Sequence, residues 1–275
     1  MPSEPRILHH ERITGAGGEP TGWILLLHGI YGAGRNWATV ARKVVARRPD
    51  WGFVLVDLRQ HGSSRGFPAP HTLESAAADL RALTRARSIE ARALLGHSFG
   101  GKVALVYARN PATLLDQLWI VDSSPDARPP SGSAWGMLQT LRSIPDAFPD
   151  REAAVRALAE HGVATPTAQW MATNLVRGED GLLRWRIAFD DMEALLRDFF
   201  RTDAWDVVED PPQGLELHFV KAEQSSVLDE EACRRLQVAG RRSGRVHLHR
   251  VEAGHWINVD NPEALVDLLA ARLPR

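Results

Sequence analysis

Apolar residues in the first half of the chain fall in short unbroken runs: Trp23-Ile24-Leu25-Leu26-Leu27, Phe53-Val54-Leu55-Val56, Ala93-Leu94-Leu95 and Leu118-Trp119-Ile120-Val121. Runs of this length with no polar alternate fit strands buried on both faces. Between them the apolar positions recur at helical spacing. Trp37, Val40, Ala41, Val44 and Val45 mark a helix over 36–48, and Leu73, Ala76, Ala77, Leu80 and Leu83 mark another, capped by Thr72. A further helix begins near Lys102 and is expected to close at Asn110-Pro111. Residues 6–14 mix polarities and predict an edge strand. This alternation of strand and helix predicts right-handed βαβ units in a doubly wound, mostly parallel α/β sheet.

The rhythm breaks after Asp122. Residues 123–214 hold no long apolar strand, yet they are far too many for a bare loop. Helical patterns cover 134–144, 151–161 after an Asp150 cap, 166–176 after a Thr165 cap, and 191–201. The expectation is an aromatic-rich helical cap over 125–212, inserted into a core made of 1–124 and 213–275. Strands over 215–220 and 245–251 follow, with a helix over 229–239 between them. Asn261-Pro262-Glu263 then starts a last helix with a cap, an N1 proline and a first-turn acid.

Composition narrows the function classes. The chain has 275 residues, is 44% hydrophobic and carries a net charge of −1, which suits a folded domain with a real core. The basic residues form no stripe or tail, so neither nucleic acid nor an anionic membrane is an expected partner. Cys233 is the single cysteine and implies no intrachain disulfide. Residues 1–11 lack a signal-peptide pattern and no apolar run is long enough to span a bilayer. The expectation is a cytoplasmic location, with oligomeric state left open.

Chemistry enters at Gly96-His97-Ser98-Phe99-Gly100. This G-x-S-x-G lies between a strand and a helix, the context of a nucleophile elbow. A serine on so sharp a turn needs small neighbours at −2 and +2, and its hydroxyl gains the N-terminal field of the following helix. Strand ends also carry His28, Asp57 and Asp122, where a parallel sheet binds ligands.

Four motifs together resemble the α/β-hydrolase superfamily, and most closely its small esterase and thioesterase branch. They are His28-Gly29 with Gly32 and Trp37, the run Asp57-Leu58-Arg59-Gln60-His61-Gly62-Ser63-Ser64, the elbow, and Gly254-His255-Trp256. Their order covers residues 22–273. The cap matches only loosely, through Gly181-Leu182-Leu183-Arg184-Trp185-Arg186. The resemblance implies Ser98 as nucleophile and His255 as base. Many members place the acid in a G-x-x-D after the penultimate strand, but here Ser225 stands at that position. The branch resembled uses an Asp after the strand before the cap, which points to Asp122, followed by Ser123-Ser124-Pro125; Glu223 and Asp229 remain alternatives. Phe99 and Ile30 would supply the backbone N–H donors of an oxyanion hole. Asp57 is expected to organise its loop with Arg59 or His61. Tyr31, Trp37, Trp185 and Trp256 are candidates to line an apolar acyl pocket.

His247 and His249 alternate on a strand, but no Asp, Glu or Cys at ligand spacing accompanies them, so no metal and no cofactor is expected. The implied reaction is hydrolysis of a small-molecule ester or thioester through an acyl-enzyme. The same triad could instead serve a C–C hydrolase, a lyase or a perhydrolase, or persist in a hydrolase-derived ligand receptor.

Overall fold

The computed structural model describes residues 6–16, 18–110 and 114–274. Pro111, expected to end the helix after the elbow, lies outside the described residues. In chain order, β1 (His10–Ile13) and β2 (Gly22–Leu27) lead through a 3₁₀ turn (Gly34–Trp37) to α1 (Ala38–Arg47) and β3 (Trp51–Val56). α2 (Leu73–Ala86), β4 (Ala91–His97), α3 (Phe99–Ala108) and β5 (Gln117–Val121) follow. Next come α4 (Gly132–Ser143), β6 (Ala147–Phe148), α5 (Arg151–Glu160), α6 (Thr165–Ala172), β7 (Leu175–Arg177), β8 (Leu183–Trp185) and α7 (Phe189–Arg201). The chain closes with α8 (Trp205–Glu209), β9 (Glu216–Ala222), α9 (Glu230–Ser243), β10 (Val246–Val251), α10 (Ile257–Asp260) and α11 (Pro262–Arg272).

The chain divides into two compact units, residues 1–127 with 202–275, and residues 128–201. The first unit is built on a seven-stranded sheet in the order β1-β3-β2-β4-β5-β9-β10. Only β1 is antiparallel to its neighbour, β3; every other pair is parallel. The unbroken apolar runs have the physical cause anticipated for them. Ile24, Leu25, Leu26 and Leu27 are all fully buried, because helices cover both faces of the sheet. On one face Ile24, Leu26, Phe53, Leu55, Trp119 and Val121 join Trp37, Val40 and Val44 beside α1 and Leu265 and Leu269 of α11. Residues between them point the other way, toward α2 and α3, which pack on each other while α3 lies against β2, β4 and β5. The caps read from sequence are made: Thr72 Oγ1 accepts the Ser75 N–H at 3.1 Å, and Asn261 Oδ1 that of Ala264 at 3.3 Å.

The first unit extends further toward the insertion than Pro211-Pro212 suggested. α8 belongs to it because Trp205 is buried there. Its Nε1 donates to Asp126 Oδ1 at 2.6 Å and the Arg235 guanidinium lies 4.0 Å over its ring. Lys102, fully buried on α3, donates to the carbonyls of Asp126 (2.7 Å) and Thr202 (3.1 Å), tying the two chain segments that flank the insertion.

The second unit has four helices among its described residues, close to the expected spans. α5 takes its cap from Asp150, which accepts the Ala153 N–H at 2.7 Å. Two expectations are corrected. α6 starts at Thr165, with Ala164 rather than Thr165 at the cap position, and stops at Ala172, so that Leu175–Arg177 is strand. β6, β8 and β7 form a small antiparallel sheet, so this unit is not purely helical. Strands of two or three residues are too short to show a period of two.

Candidate active site

Ser98 occupies the single residue between the end of β4 and the start of α3, with φ 51° and ψ −115°. A non-glycine residue there carries about 1–3 kcal/mol of strain. The bend is so tight that a Cβ on Gly96 would sit 2.1 Å from the Gly100 carbonyl oxygen. One on Gly100 would sit 2.6 Å from the His28 carbonyl oxygen, and one on Gly101 would sit 2.6 Å from Ser123 Cβ. The first two contacts explain the motif's glycines. The third was not anticipated, since Gly101 meets a residue that is remote in sequence. α3 begins at Phe99, directly after the serine, so its first backbone N–H groups and the positive end of its dipole lie beside the hydroxyl.

Asp122 follows the last residue of β5 with φ 42°. Its own N–H donates to the Val220 carbonyl at 2.8 Å, and its Oδ1 accepts from Ala222 N–H at 3.3 Å. Its Oδ2 lies 2.7 Å from His255 Nδ1. The carboxylate is completely buried while the imidazole side chain keeps 23% exposure. A carboxylate can only accept, so the neutral imidazole carries its proton on Nδ1 and leaves the Nε2 lone pair available to take another. The two alternative acids have other partners. Glu223 pairs with Arg250 at 3.1 Å, and Asp229 caps α9 through the Ala232 N–H at 2.9 Å.

The other motif histidines form a buried frame. His97 Nε2 donates to the His255 carbonyl at 2.8 Å, and its ring packs 4.6 Å from that of His255 and 5.4 Å from Trp256. Burial, with His255 nearby, pushes His97 down to about 3. His28 Nδ1 donates to the Gly29 carbonyl at 2.7 Å while its Nε2 accepts the Leu58 N–H at 3.0 Å, stitching two loops together. Burial lowers its pKa as well. His61 packs 4.9 Å from His28 and 5.9 Å from Phe99, and burial holds it near 3.

Asp57 organises its loop, but not with the partners expected. It accepts the N–H groups of Gly34 (2.7 Å) and Ser63 (2.8 Å), and His9 Nδ1 lies 3.1 Å away. Arg59 pairs instead with Asp79 at 2.7 Å, and His61 Nδ1 lies 2.9 Å from the Arg59 carbonyl. The carboxylate fills the space a side chain at Gly62 would need, since a Cβ there would fall 2.2 Å from Oδ2.

Ile30 and Tyr31 lie in a turn closed by Gly32 N–H on the Gly29 carbonyl at 3.0 Å, with Tyr31 at φ 62°. A Cβ on Gly29 would touch Ser98 Cβ at 3.5 Å, so this loop packs directly against the elbow. Trp256 stands edge-on to His255 at 5.4 Å. Trp37 does not line a pocket: it is 1% exposed in the core cluster, edge-on to His97 at 6.1 Å. Its helical spacing with Val40 and Val44 already marked it as core. Trp185 lies in the second unit, edge-on to Phe148 at 5.8 Å. Cys233 is buried on α9 and burial raises its thiol pKa, as for a packing residue. Among the described residues no helix is long and apolar enough to cross a membrane.

The model of an alpha/beta hydrolase family matches residues 24–268. The sn-1-specific diacylglycerol lipase ABHD11 of Mus musculus is 26% identical over 260 residues, covering 91% of this chain and 80% of the relative. The protein of the same name from Danio rerio is 26% identical over 246 residues, covering 87% and 74%. Among solved structures, a marine microorganism esterase superposes with a TM-score of 0.81 at 23% identity, covering 97% of this chain and 99% of that one.

Proposed function

The chain belongs to the alpha/beta hydrolase family, and from that premise we propose that it is a serine hydrolase of carboxylic esters or thioesters acting through Ser98, His255 and Asp122. The observation that carries this reading is the 2.7 Å contact between His255 Nδ1 and the buried Asp122 carboxylate. It supports a base whose tautomer and orientation are set in advance, in a chain that bends sharply at a serine. The names of the mouse and zebrafish relatives, lipases acting on an acylglycerol ester, support an ester substrate.

In the proposed cycle Ser98 Oγ attacks the acyl carbonyl as His255 Nε2 takes its proton. Asp122 accepts from Nδ1 throughout and stabilises the imidazolium that forms. The tetrahedral oxyanion is held by the Phe99 and Ile30 backbone N–H groups, donors that need no reorganisation as charge develops. His255 returns the proton to the leaving alcohol or thiol as the C–O or C–S bond breaks. Water, deprotonated by His255, then attacks the acyl-enzyme and releases the acid and Ser98. Tyr31 and Trp256 contribute contacts beside the reacting carbonyl. Aromatic surface of this kind favours small to medium apolar acyl groups.

The test is turnover of a p-nitrophenyl ester series and an acyl-CoA series of graded length, with Ser98→Ala as the blank, alongside labelling by a fluorophosphonate. Ser98-dependent cleavage with label on Ser98 is the expected result. A labelled serine with no ester or thioester turnover, but cleavage of a β-diketone, would move the assignment to C–C hydrolysis. A folded protein that takes no label would remove the serine mechanism.

A further inference from the structure

A second cluster of chemistry lies at the other end of the sheet, near the starts of β9 and β10. The parallel register pairs His218 with His247 and Val220 with His249. Alternate residues of a strand share a face, so Glu216, His218, His247 and His249 project together. His218 is buried and stacks on Trp119 of β5 at 4.1 Å with an interplanar angle of 11°. Its Nδ1 lies 3.1 Å from His249 Nε2, and its Nε2 lies 3.5 Å from Glu216 Oε2. The Nε2 atoms of His218 and His247 are both buried with no hydrogen-bond partner among the described residues. One donor atom from each of Glu216, His218 and His247 falls within 4.8 Å of the others.

From this juxtaposition we propose that Glu216, His218 and His247 bind a divalent transition-metal ion of the zinc type. When His218 Nδ1–H donates to His249, Nε2 keeps a lone pair 3.5 Å from Glu216 Oε2. A lone pair held that close to a carboxylate is repelled by it unless a cation lies between them. His249 then acts as the outer partner that fixes the ligand's tautomer and direction. Zinc holds ligands at about 2.0–2.1 Å, so donors in a tetrahedral site stand roughly 3.3 Å apart. The His218–Glu216 spacing of 3.5 Å already matches, and the remaining donor spacings, at most 4.8 Å, shorten on binding. Two imidazoles and one carboxylate select zinc, cobalt, nickel or copper over magnesium and calcium. The Glu216 side chain is 49% exposed, which leaves water to complete the shell. The positive charge of Arg272 acts on His218 and opposes a cation, so the site binds more weakly than a four-ligand structural zinc. A bound ion would tie β10, the strand that leads to His255, to its neighbour β9.

The experiment uses the full chain, tag removed and chelator-treated, titrated with ZnCl2 by calorimetry and thermal unfolding, and with CoCl2 by visible absorption. The expected result is one ion per chain, a raised Tm, and a cobalt ligand-field band. Glu216→Gln and His247→Gln, both partly exposed positions, are each expected to weaken binding at least about tenfold. His249→Gln keeps all three ligands and is expected to weaken it by roughly 10–100-fold. Circular dichroism establishes that each variant is folded, and Cys233→Ser removes the thiol as a competing ligand. Failure of the wild-type chain to take up either ion overturns the proposal. So does a Glu216→Gln/His247→Gln double variant that binds as the wild type does.

Discussion

The Nε2–H of His97 donates to the backbone carbonyl of His255 at 2.8 Å, joining two residues 158 positions apart. The bond fixes the main chain from which the His255 ring projects, while Asp122 fixes the ring itself. His97→Leu keeps much of the ring's bulk against Trp37 and Trp256 but deletes the donor. With the proposed base displaced by a fraction of an ångström, kcat on a p-nitrophenyl ester should fall about 10–100-fold with little change in KM. Unchanged kcat would assign His97 to packing alone.

Asp122→Asn should lower kcat by roughly 10³–10⁴-fold, since an amide can no longer accept from His255 Nδ1–H while its NH₂ faces the ring. Glu223→Gln breaks an exposed pair with Arg250 and Asp229→Asn alters a helix cap; both should keep kcat within about twofold of wild type. Parallel kinetics on the three variants rank the acids directly.

Ser98→Ala should abolish turnover and fluorophosphonate labelling. Ser98→Gly should be equally inactive but at least as stable as Ser98→Ala. Relief of strain at φ 51°, about 1–3 kcal/mol, outweighs glycine's entropic cost of roughly 0.5–1 kcal/mol. Denaturant midpoints of the two variants make the comparison.

Gly96→Ala should be destabilising by about 3 kcal/mol or more, because the new Cβ would meet backbone at 2.1 Å. Gly136→Ala is the control. It lies within α4 with no atom of the described residues within 4 Å of the added methyl, and should stabilise by roughly 0.5–1 kcal/mol. Thermal unfolding of both variants should move in opposite directions.

Stability should fall as pH drops from about 6.5 toward 3. His61 and His97 sit near 3 in the folded chain, against 6.5 when exposed, because burial disfavours their charged forms. Neighbouring charge adds to this: His28 and Arg65 beside His61, and His255 beside His97, with Asp122 opposing. Between those limits the unfolded chain binds more protons, so the unfolding free energy decreases with falling pH, by at most about 1.4 kcal/mol per unit for each histidine. His28, lowered for the same reason, acts in the same direction. Above pH 6.5 this contribution is constant. Urea midpoints at pH 7, 6 and 5 should decline in step; equal midpoints would contradict the buried neutral histidines.

The core strands were legible because a strand covered on both faces needs continuous apolar residues, and the elbow because a bend that tight admits only glycine at Gly96 and Gly100. Cap residues such as Thr72 and Asn261 were legible for the same local reason. Those requirements act within a few residues of chain. The three short strands of the inserted unit gave no signal, since two or three residues cannot establish a period. Trp37 packs in the core instead of a pocket, because an aromatic's type does not say which side of a loop it faces.

By itself, then, the sequence determined the parallel α/β architecture and the tight bend that carries Ser98, since each is written in local backbone and packing demands. Only the tertiary structure decided which carboxylate meets His255, which groups hold Asp57, and that Glu216 and His218 stand beside His247. These are contacts between strands and loops distant along the chain, and strand order and register, not spacing in sequence, set their distances.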